Sequence, residues 1–518
     1  MKRFIGSTLL FLLLISCGGE SQTPAPAENI PLPDESNQAD TAEETTEDIA
    51  EDTEANDPGE ASDIHTAAAI KLTDYLGSLY QTFDWSGAVR DPMRDELEIQ
   101  NANTYVAIND EDKSELNSLA TEREIIAQIG GMGSAKIAPG ATQPSDQFSA
   151  YMDAIIADNG EQWRSVVQSR ATEVAMALPE GAQFYWQIGN EVNAASYTLN
   201  SVLYFNNETE GLSNEAFGMK VYVEYFLAPT IQGFMDSEVS TGKDNRIALG
   251  SVSAFSAPSS QTFLNDLLNY EISGSYAPAL AGHKVHELID LITIHYLAHA
   301  HSETNPTHWR DVLQSVYDTW VKDNITGVWT TEEVGINLAQ GGLGAGAAIT
   351  VAGRYLEWIS NNKFTPAQSK WFNFGTNAGS TGQRISDATN QIYTLIGGTA
   401  KEVAEEESDE TTLTHLHTSY YDSSYEVRSF GIGDPSSTEG IILLISGLAD
   451  SESQVTALTL DGDSLGYLSH GQVSFARRYG QNTTDDISIT AALSNDQLTL
   501  NFGDTALGRL ESLIVVIQ

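Results

Sequence analysis

Three short polar segments of this chain each follow an apolar run, and together they supply groups for acid–base and nucleophilic chemistry. The segments are Asn190-Glu191, His295-Tyr296 and Glu332-Glu333. A glutamate can donate a proton when it is neutral, and it can accept a proton or attack an electrophile when it is ionised. Two glutamates from different segments could divide these roles if the tertiary structure places them at one site.

The apolar runs before these residues predict the strands that would position them. The predicted strands cover 183–189, 246–253, 288–295, 327–332 and 370–374, with helical patterns over 146–178, 309–322 and 345–361. Runs that are apolar on both faces and separated by helices are typical of a buried parallel sheet. Over more than 300 residues they predict an α/β fold with a (β/α)8 barrel, whose first strands we expect near 76–83, 105–108 and 125–129. Catalytic side chains in such barrels lie at the carboxyl ends of the strands, where these glutamates occur.

Two of these strand ends resemble a known family. The segment from Trp186 to Asn193, Trp-Gln-Ile-Gly-Asn-Glu-Val-Asn, resembles the acid/base strand of retaining glycoside hydrolases of clan A. The segment from Trp329 to Asn337 resembles the later strand that carries their nucleophile. A barrel followed by a β-sandwich is also similar to the branch with β-xylosidases, α-L-arabinofuranosidases and heparanase-like enzymes. The resemblance implies hydrolysis of O-glycosidic bonds in an extracellular polysaccharide or oligosaccharide by double displacement, without a cofactor or metal.

The resemblance also implies roles for the two carboxyl groups, which retention of configuration requires about 5–5.5 Å apart. Glu191 corresponds to the acid/base residue. Glu333 is our first choice as nucleophile because Glu333-Val-Gly335 keeps the Glu-x-Gly spacing, and Glu332 is the second choice because it follows a threonine. In a regular strand only one of these neighbours can face the cleft.

Further residues are implied as substrate contacts. Asn190 corresponds to the residue that hydrogen-bonds a sugar 2-hydroxyl, and His295 or Tyr296 corresponds to the side chain that orients the nucleophile. The remaining candidates are Trp186 and Phe374. The family often ends its last barrel strand with tryptophan, whereas Phe374 is at that place here, so the preferred sugar stays open.

Two other functions stay open on the sequence. A degenerate barrel could bind glycans at the cell surface without cleaving them. A metal-dependent hydrolase could instead use a histidine cluster, because imidazoles are zinc ligands. That cluster consists of His295, His299, His301 and His308.

The first 63 residues predict a secreted, anchored protein. Lys2 and Arg3 precede an apolar run that is too short to span a bilayer, and the run ends at Cys17. This start resembles a bacterial lipoprotein signal, which implies a signal peptide over 1–16, a lipid on Cys17 and a location in the cell envelope, at the outer membrane or cell surface. Residues 18–63 contain 15 acidic and no basic residues, so we interpret 17–63 as a lipidated, disordered tether.

The remaining chain divides by pattern into a barrel over 64–400 and a module over 401–518. Short alternating runs without helices predict an antiparallel β-sandwich for that module. The net charge of −47 excludes a basic surface for nucleic acid, and the single cysteine excludes a disulfide framework. The expected partners are therefore a carbohydrate and a membrane lipid anchor.

Overall fold

The computed structural model describes the parts of the chain that build two sheet systems. These are residues 68–80, 101–106, 124–129, 152–153, 155–178, 184–193, 212–295, 297, 307–322, 324–332, 344–373, 412–421, 424–433, 440–448, 453–455, 457–461, 472–480, 484–494, 497–509 and 511–517. The segment of the predicted signal, Cys17 and tether lies outside them. No described helix is long and apolar enough to cross a membrane.

After a short strand β1 (Ala69–Lys71), eight parallel strands pair in a closed ring, the last with the first. They are β2 (Leu76–Tyr80), β3 (Asn101–Val106), β4 (Glu124–Ile129), β5 (Phe184–Ile188), β6 (Arg246–Leu249), β7 (Leu291–His295), β8 (Gly327–Glu332) and β9 (Ser369–Asn373). Helices follow β4 to β8 in the chain. The mixed α/β architecture that the sequence predicted is confirmed, and the predicted strand positions are met within a few residues.

The helices cover the outside of the sheet. They are α1 (Leu72–Tyr75), α2 (Glu161–Ala177), α3 (Asn214–Val221), a π-helical turn (Tyr222–Leu227), α4 (Ala228–Thr241), α5 (Pro258–Asn269), α6 (His308–Trp320) and α7 (Gly344–Asn362), with 3₁₀ turns at Pro278–Leu280 and Val285–Glu287. The helical stretch predicted over 146–178 is helical in most of its described residues, with one interruption. Asn159 and Gly160 have φ angles of 54° and 77°, which end the preceding helical turn before α2 begins.

The interior of the ring is packed with side chains rather than open. Tyr185, Ala248, Leu291 and Trp329 form one buried cluster with Ile126, each from a different strand. The rings of Tyr185 and Trp329 meet edge to face at 5.0 Å. This layer lies inside the ring, before the carboxyl ends of the strands that contribute to it.

The C-terminal part forms antiparallel sheets, as predicted. A seven-stranded sheet has the order β1-β10-β11-β12-β20-β15-β16, and two smaller sheets have the orders β14-β18-β17 and β13-β19. The strands are β10 (Thr412–Tyr421), β11 (Tyr425–Ile432), β12 (Gly440–Gly447), β13 (Ser453–Gln454), β14 (Ala457–Asp461), β15 (Val473–Tyr479), β16 (Thr484–Asp486), β17 (Thr490–Ser494), β18 (Gln497–Asn501), β19 (Ala506–Leu507) and β20 (Ser512–Ile517).

The structure corrects several details of this region. Strand β10 was not predicted, because the polar residues at most of its positions hide any alternation. Among the short runs predicted in this module, the run over 455–460 overlaps β14, which begins two residues later, and the run over 487–491 overlaps β17 only at its last two residues. The strand β1 pairs with β10, so residues near the start of the predicted barrel range extend the C-terminal sheet.

The seven-stranded sheet is apolar on both faces. Leu443 and Val515 face a core shared with the smaller sheets, whereas Leu444 and Val516 belong to the core shared with the barrel helices. Helix α7 supplies Tyr355 and Ile359 to that second core. The C-terminal sheet is therefore packed directly on the helix that follows β8.

Candidate functional site

The carboxyl ends of β5, β6 and β7 lie side by side in the ring, and polar side chains follow each of them. After β5 the chain turns through Gly189, which has a φ angle of 92° that favours glycine. Two residues later Glu191 also has a left-handed backbone, with φ at 49°. Such a conformation costs a non-glycine residue about 1–3 kcal/mol and persists only where the surroundings enforce it.

The surroundings that enforce it are the residues just after β6. Ser251 is buried; its hydroxyl accepts a hydrogen bond from the Glu191 backbone N–H at 3.0 Å, and its carbonyl accepts one from Val192 N–H at 2.9 Å. At Gly250 a Cβ atom would lie 2.6 Å from Val192, so only glycine lets the two segments approach this closely. The turn carrying Glu191 is thus built against the neighbouring strand.

The carboxyl group of Glu191 is held by two side chains from adjacent strands. Ser253 Oγ donates to Glu191 Oε1 at 2.8 Å, and His295 Nδ1 lies 3.2 Å from the same oxygen. The Glu191 side chain remains 25% exposed, whereas His295 is fully buried. Among the described residues none bonds the second carboxyl oxygen, Oε2.

His295 continues the connection to the next strand. Its Nε2 lies 3.0 Å from Thr331 Oγ1 on β8. A hydroxyl can donate or accept, so when the imidazole Nδ1–H donates to Glu191, the threonine can donate to Nε2. Polar groups from β5 to β8 therefore form one connected network under the open edge of the ring.

These contacts set the proton affinity of Glu191. Burial raises its pKa, but the hydrogen bond and positive potential of His295 and the hydrogen bond from Ser253 together outweigh burial. The net effect is a pKa below the usual glutamate value. With the groups that the structure describes, the ionised form of Glu191 is favoured.

Asn190 sits at the same edge, half-buried beside Glu191. Its side-chain carbonyl accepts a hydrogen bond from Ser251 Oγ at 2.9 Å. Among the described residues no partner bonds its amide N–H groups. The predicted contact to a sugar hydroxyl would use these N–H groups.

Trp186 does not lie at this edge, and its position argues against the predicted substrate contact. Tyr185 and Gln187 turn into the ring, so strand alternation turns Trp186 outward. Its indole stacks on Phe234 of α4 at 5.0 Å, and its N–H bonds Asn245. It is a buried core residue.

The remaining predicted site residues are only partly placed. Glu332 ends β8, where its backbone pairs with His295. Tyr296, Glu333 and Phe374 lie outside the described residues, as do His299 and His301 of the histidine cluster. His308 bonds the carbonyl of Ser256 at 3.1 Å, and no group of three or more metal-ligating side chains occurs in the described part of the chain.

Four residues around Glu191 were not predicted: Ser251, Ser253 and Thr331 of the network, and Asn193, whose side chain bonds the backbone of Ser253. A signal for two of them was present in the strand predicted over 246–253, where Ser251 and Ser253 follow the apolar run with a period of two. A period of two puts both side chains on one face of an extended segment. Small hydroxyl residues are too common at strand ends for this pattern alone to identify a site.

Comparison with known proteins gives only distant similarity. No protein-family model and no curated protein matches the chain. Solved structures that it resembles include a GH30 endoxylanase from Clostridium papyrosolvens C71 (10% identity, 88% of this chain and 97% of that chain, TM-score 0.40). Another is a glucosidase from Croceicoccus marinus, with 8% identity over 88% of this chain and 98% of that chain and a TM-score of 0.42. A third is an endo-β-1,4-mannanase from Thermotoga petrophila, with 10% identity over 85% of this chain and 97% of that chain and a TM-score of 0.36. Similarity at this level does not identify the reaction of this chain.

Proposed function

We propose that this protein is a retaining glycoside hydrolase that cleaves O-glycosidic bonds of an extracellular polysaccharide or oligosaccharide by double displacement. The observation that carries the proposal is the setting of Glu191. Its carboxyl group is partly exposed at the carboxyl end of a parallel strand, with one oxygen bonded by Ser253 and His295. Such a group can pass a proton to and from a ligand above the ring.

In the proposed reaction Glu191 acts twice. It first protonates the leaving oxygen while an ionised carboxylate attacks the anomeric carbon and forms a glycosyl ester. It then takes a proton from the water molecule that displaces the ester, which returns both carboxyl groups to their initial state. The donor groups of Asn190 would bind the sugar beside the reacting carbon.

We assign the nucleophile to Glu333, with Glu332 as the second choice. In β8, Trp329 packs inside the ring and Thr331 bonds His295, whereas Thr330 bonds Tyr355 of α7 on the outside. If this alternation continues beyond the described residues, the next inward position is residue 333. The pairing of β7 with β8 shifts register at Thr331, and such bulges re-aim side chains, so Glu332 stays under test.

The lowered pKa of Glu191 has a direct consequence for this mechanism. A general acid must carry its proton near the working pH, and the described partners favour its loss. An ionised nucleophile about 5–5.5 Å away would oppose them, because like charges raise the pKa of a neighbouring carboxyl group. The proposal therefore requires this second carboxylate for the acid step.

Two assays in sequence test the proposal. Purified protein is first screened on chromogenic monosaccharide glycosides and a polysaccharide panel. On the best substrate, Glu333→Ala should lower turnover by several powers of ten, and azide should partly restore cleavage with a glycosyl azide of inverted configuration. Azide rescue of Glu332→Ala instead would move the nucleophile by one residue, and activity in both variants would refute the hydrolase.

A second candidate function is glycan binding without turnover. It is favoured by the same lowered pKa, since an ionised Glu191 can accept hydrogen bonds from sugar hydroxyls but cannot protonate a leaving group. Binding to a polysaccharide without release of reducing ends would support this function over hydrolysis.

We further propose that Cys17 anchors the protein in the bacterial cell envelope, at the outer membrane or cell surface. The proposal is supported by the apolar run that ends at this residue. Cys17→Ser should abolish labelling by a fatty acid and release the protein into the soluble fraction, because the acyl chains provide the membrane affinity. Unchanged membrane association would contradict the anchor.

A further inference from the structure

The hydroxyl of Ser253 contacts Glu191 through a segment that the Glu191 turn itself holds in place. Asn193, two residues after Glu191, accepts the Ser253 backbone N–H on its Oδ1 at 2.8 Å. The Asn193 amide donates back to the Ser253 carbonyl at 3.0 Å. Two hydrogen bonds in opposite directions fix both the position and the orientation of the Ser253 backbone.

The same segment is also fixed from its other side. Val252 N–H donates to Thr293 O, and His295 N–H donates to Val252 O at 2.9 Å, so the residues after β6 run alongside β7. Ser253 is therefore held between the turn after β5 and the end of β7. Its hydroxyl reaches Glu191 Oε1 from a backbone that has little freedom to move.

From this geometry we infer that Ser253 is a positioning residue for Glu191, clamped by Asn193, that selects the carboxyl orientation and favours its ionised form. The inference rests on the proposed role of Glu191 as acid/base residue. With Oε1 occupied by Ser253 and His295, Oε2 is the oxygen left to exchange a proton with a ligand. The chain thus separates a structural oxygen from a reactive one.

Among the described residues, few charged groups lie near this carboxyl group. Residues 250–257, which follow β6, contain no titratable side chain. On β7 the group is His295, and on β8 the strand ends at Glu332, followed by Glu333. A hydroxyl in place of a charge lets Ser253 hold Oε1 while adding only a moderate preference for the ionised form.

The direct test compares the pH profiles of wild type and Ser253→Ala. Loss of a hydrogen bond to the ionised form raises the pKa of Glu191. The basic limb of kcat/KM reports the loss of the acid's proton, so it should move to higher pH by about half a unit to one unit. Ser253→Thr, which keeps the hydroxyl, should restore the wild-type limb, and Ser259→Ala, an exposed serine on α5, should leave it unmoved.

A second readout uses the leaving group. Substrates with poor leaving groups need a well-placed proton donor, so Ser253→Ala should lower their kcat/KM by about 10-fold. Activated aryl glycosides need little protonation, so their glycosylation step should change much less. A general structural defect would lower both rates equally, and that result would overturn the inference.

A third readout does not depend on turnover. In protein labelled at the glutamate carboxyl carbons, Glu191→Gln identifies the Glu191 signal, and its titration by carbon-13 NMR gives the pKa directly. Ser253→Ala should raise that pKa by about half a unit to one unit. Asn193→Ala should raise it by a smaller amount, and it provides the same test if Ser253→Ala fails to fold. An unchanged pKa in both variants overturns the inference, whereas absence of any glycosidase activity with a shifted pKa refutes only the proposed function.

Discussion

Two regions of this protein place glutamates among hydrogen-bond donors, and they do so in opposite ways. At the edge of the ring, Glu191 has a hydroxyl and an imidazole on one oxygen and stays 25% exposed. Between helix α7 and strand β11, Glu426 is fully buried and is bonded by two guanidinium groups, of Arg354 and Arg428. The second region, extended by Glu357, is called the arginine cluster below.

The arginine cluster joins the barrel to the C-terminal sheet. Arg354 and Glu357 come from α7, and Arg428 and Glu426 come from β11. Burial raises the pKa of Glu426, but the two guanidinium groups outweigh it and hold the pKa below the usual value. Glu357 follows the same logic with Arg428 and Arg310.

The surroundings of a carboxyl group thus distinguish the proposed proton-exchanging role of Glu191 from the structural role of Glu426. A buried carboxylate paired with arginines favours its ionised form and joins the elements that carry the charges. A carboxyl group with uncharged or titratable partners and partial exposure keeps both protonation states accessible. Glutamate itself is the same in both places, and the partners decide its use.

The largest expected effect is the loss of activity when the Glu191 carboxylate is removed. Glu191→Gln should reduce kcat/KM for a substrate with a poor leaving group by about 10²–10⁴-fold, because general acid catalysis is lost. Its thermal midpoint should stay close to that of wild type, since the side chain is partly exposed and the amide oxygen of glutamine can still accept hydrogen bonds from Ser253 and His295. Initial rates and calorimetry on the same preparations measure both; a large loss of stability would place Glu191 with the structural carboxylates.

Removing the Glu426 carboxylate from the arginine cluster should lower the stability and leave the activity nearly unchanged. Glu426→Gln leaves Arg354 and Arg428 buried without their shared counter-charge, so the free energy of unfolding should fall by about 3–5 kcal/mol. Turnover per folded molecule should remain within a factor of about two, because no cluster residue contacts Glu191 among the described residues. Denaturant titration measures the free energy of unfolding, and the rate divided by the concentration of folded protein measures turnover. Unchanged stability would contradict the structural role of Glu426.

A histidine beside the cluster should make stability depend on pH. Burial is the main reason that the pKa of His415 is lowered to about 4, and its Nδ1 and Nε2 bond Asn361 and Thr418. The unfolded state takes up this proton near pH 6.5 and the folded state only near pH 4, so stability falls as pH drops through that window, by about 3 kcal/mol in total. His415→Gln should lose this dependence, so the stability difference between wild type and variant should shrink from pH 7 to pH 4.

The smallest effect should come from an ion pair at the surface. Arg477 and Asp486 join β15 to β16 at 2.6 Å, but their side chains are 37% and 77% exposed. Solvent screens such a pair, so Asp486→Ala should cost less than about 1 kcal/mol of unfolding free energy. A loss as large as that of Glu426→Gln would show that burial does not explain the difference between the two regions.

Much of the fold could be predicted from the sequence because its signals are local. Strands β5 to β9 are short apolar runs, and buried parallel strands need such runs wherever they lie in the ring. The helices after them have their own period, and α6 begins within one residue of its predicted start. The break before α2 was missed because Asn159 and Gly160 are two residues in a long helical pattern.

The site could be predicted only in part. The pair Asn190-Glu191 stands out because polar residues directly follow an apolar strand, and the structure places both at the open edge of the ring. Trp186 was assigned to substrate by its motif, yet strand alternation turns it to the helices, where Phe234 covers it. A sequence motif gives the residue types, but the side of the strand on which each side chain lies is decided by how the strand pairs in the sheet.

What the sequence by itself determined is the set of elements and the residues at their ends. Hydrophobic period and chain order are properties of neighbouring residues, so they survive without any tertiary information. Only the tertiary structure decided which groups meet: Ser253 and His295 are far from Glu191 in the chain, and the parallel pairing of β5, β6 and β7 brings them to one carboxyl oxygen. It also decided that Glu426 is structural, because Arg354 of α7 and Arg428 of the same strand outweigh the effect of burial and favour the ionised carboxylate.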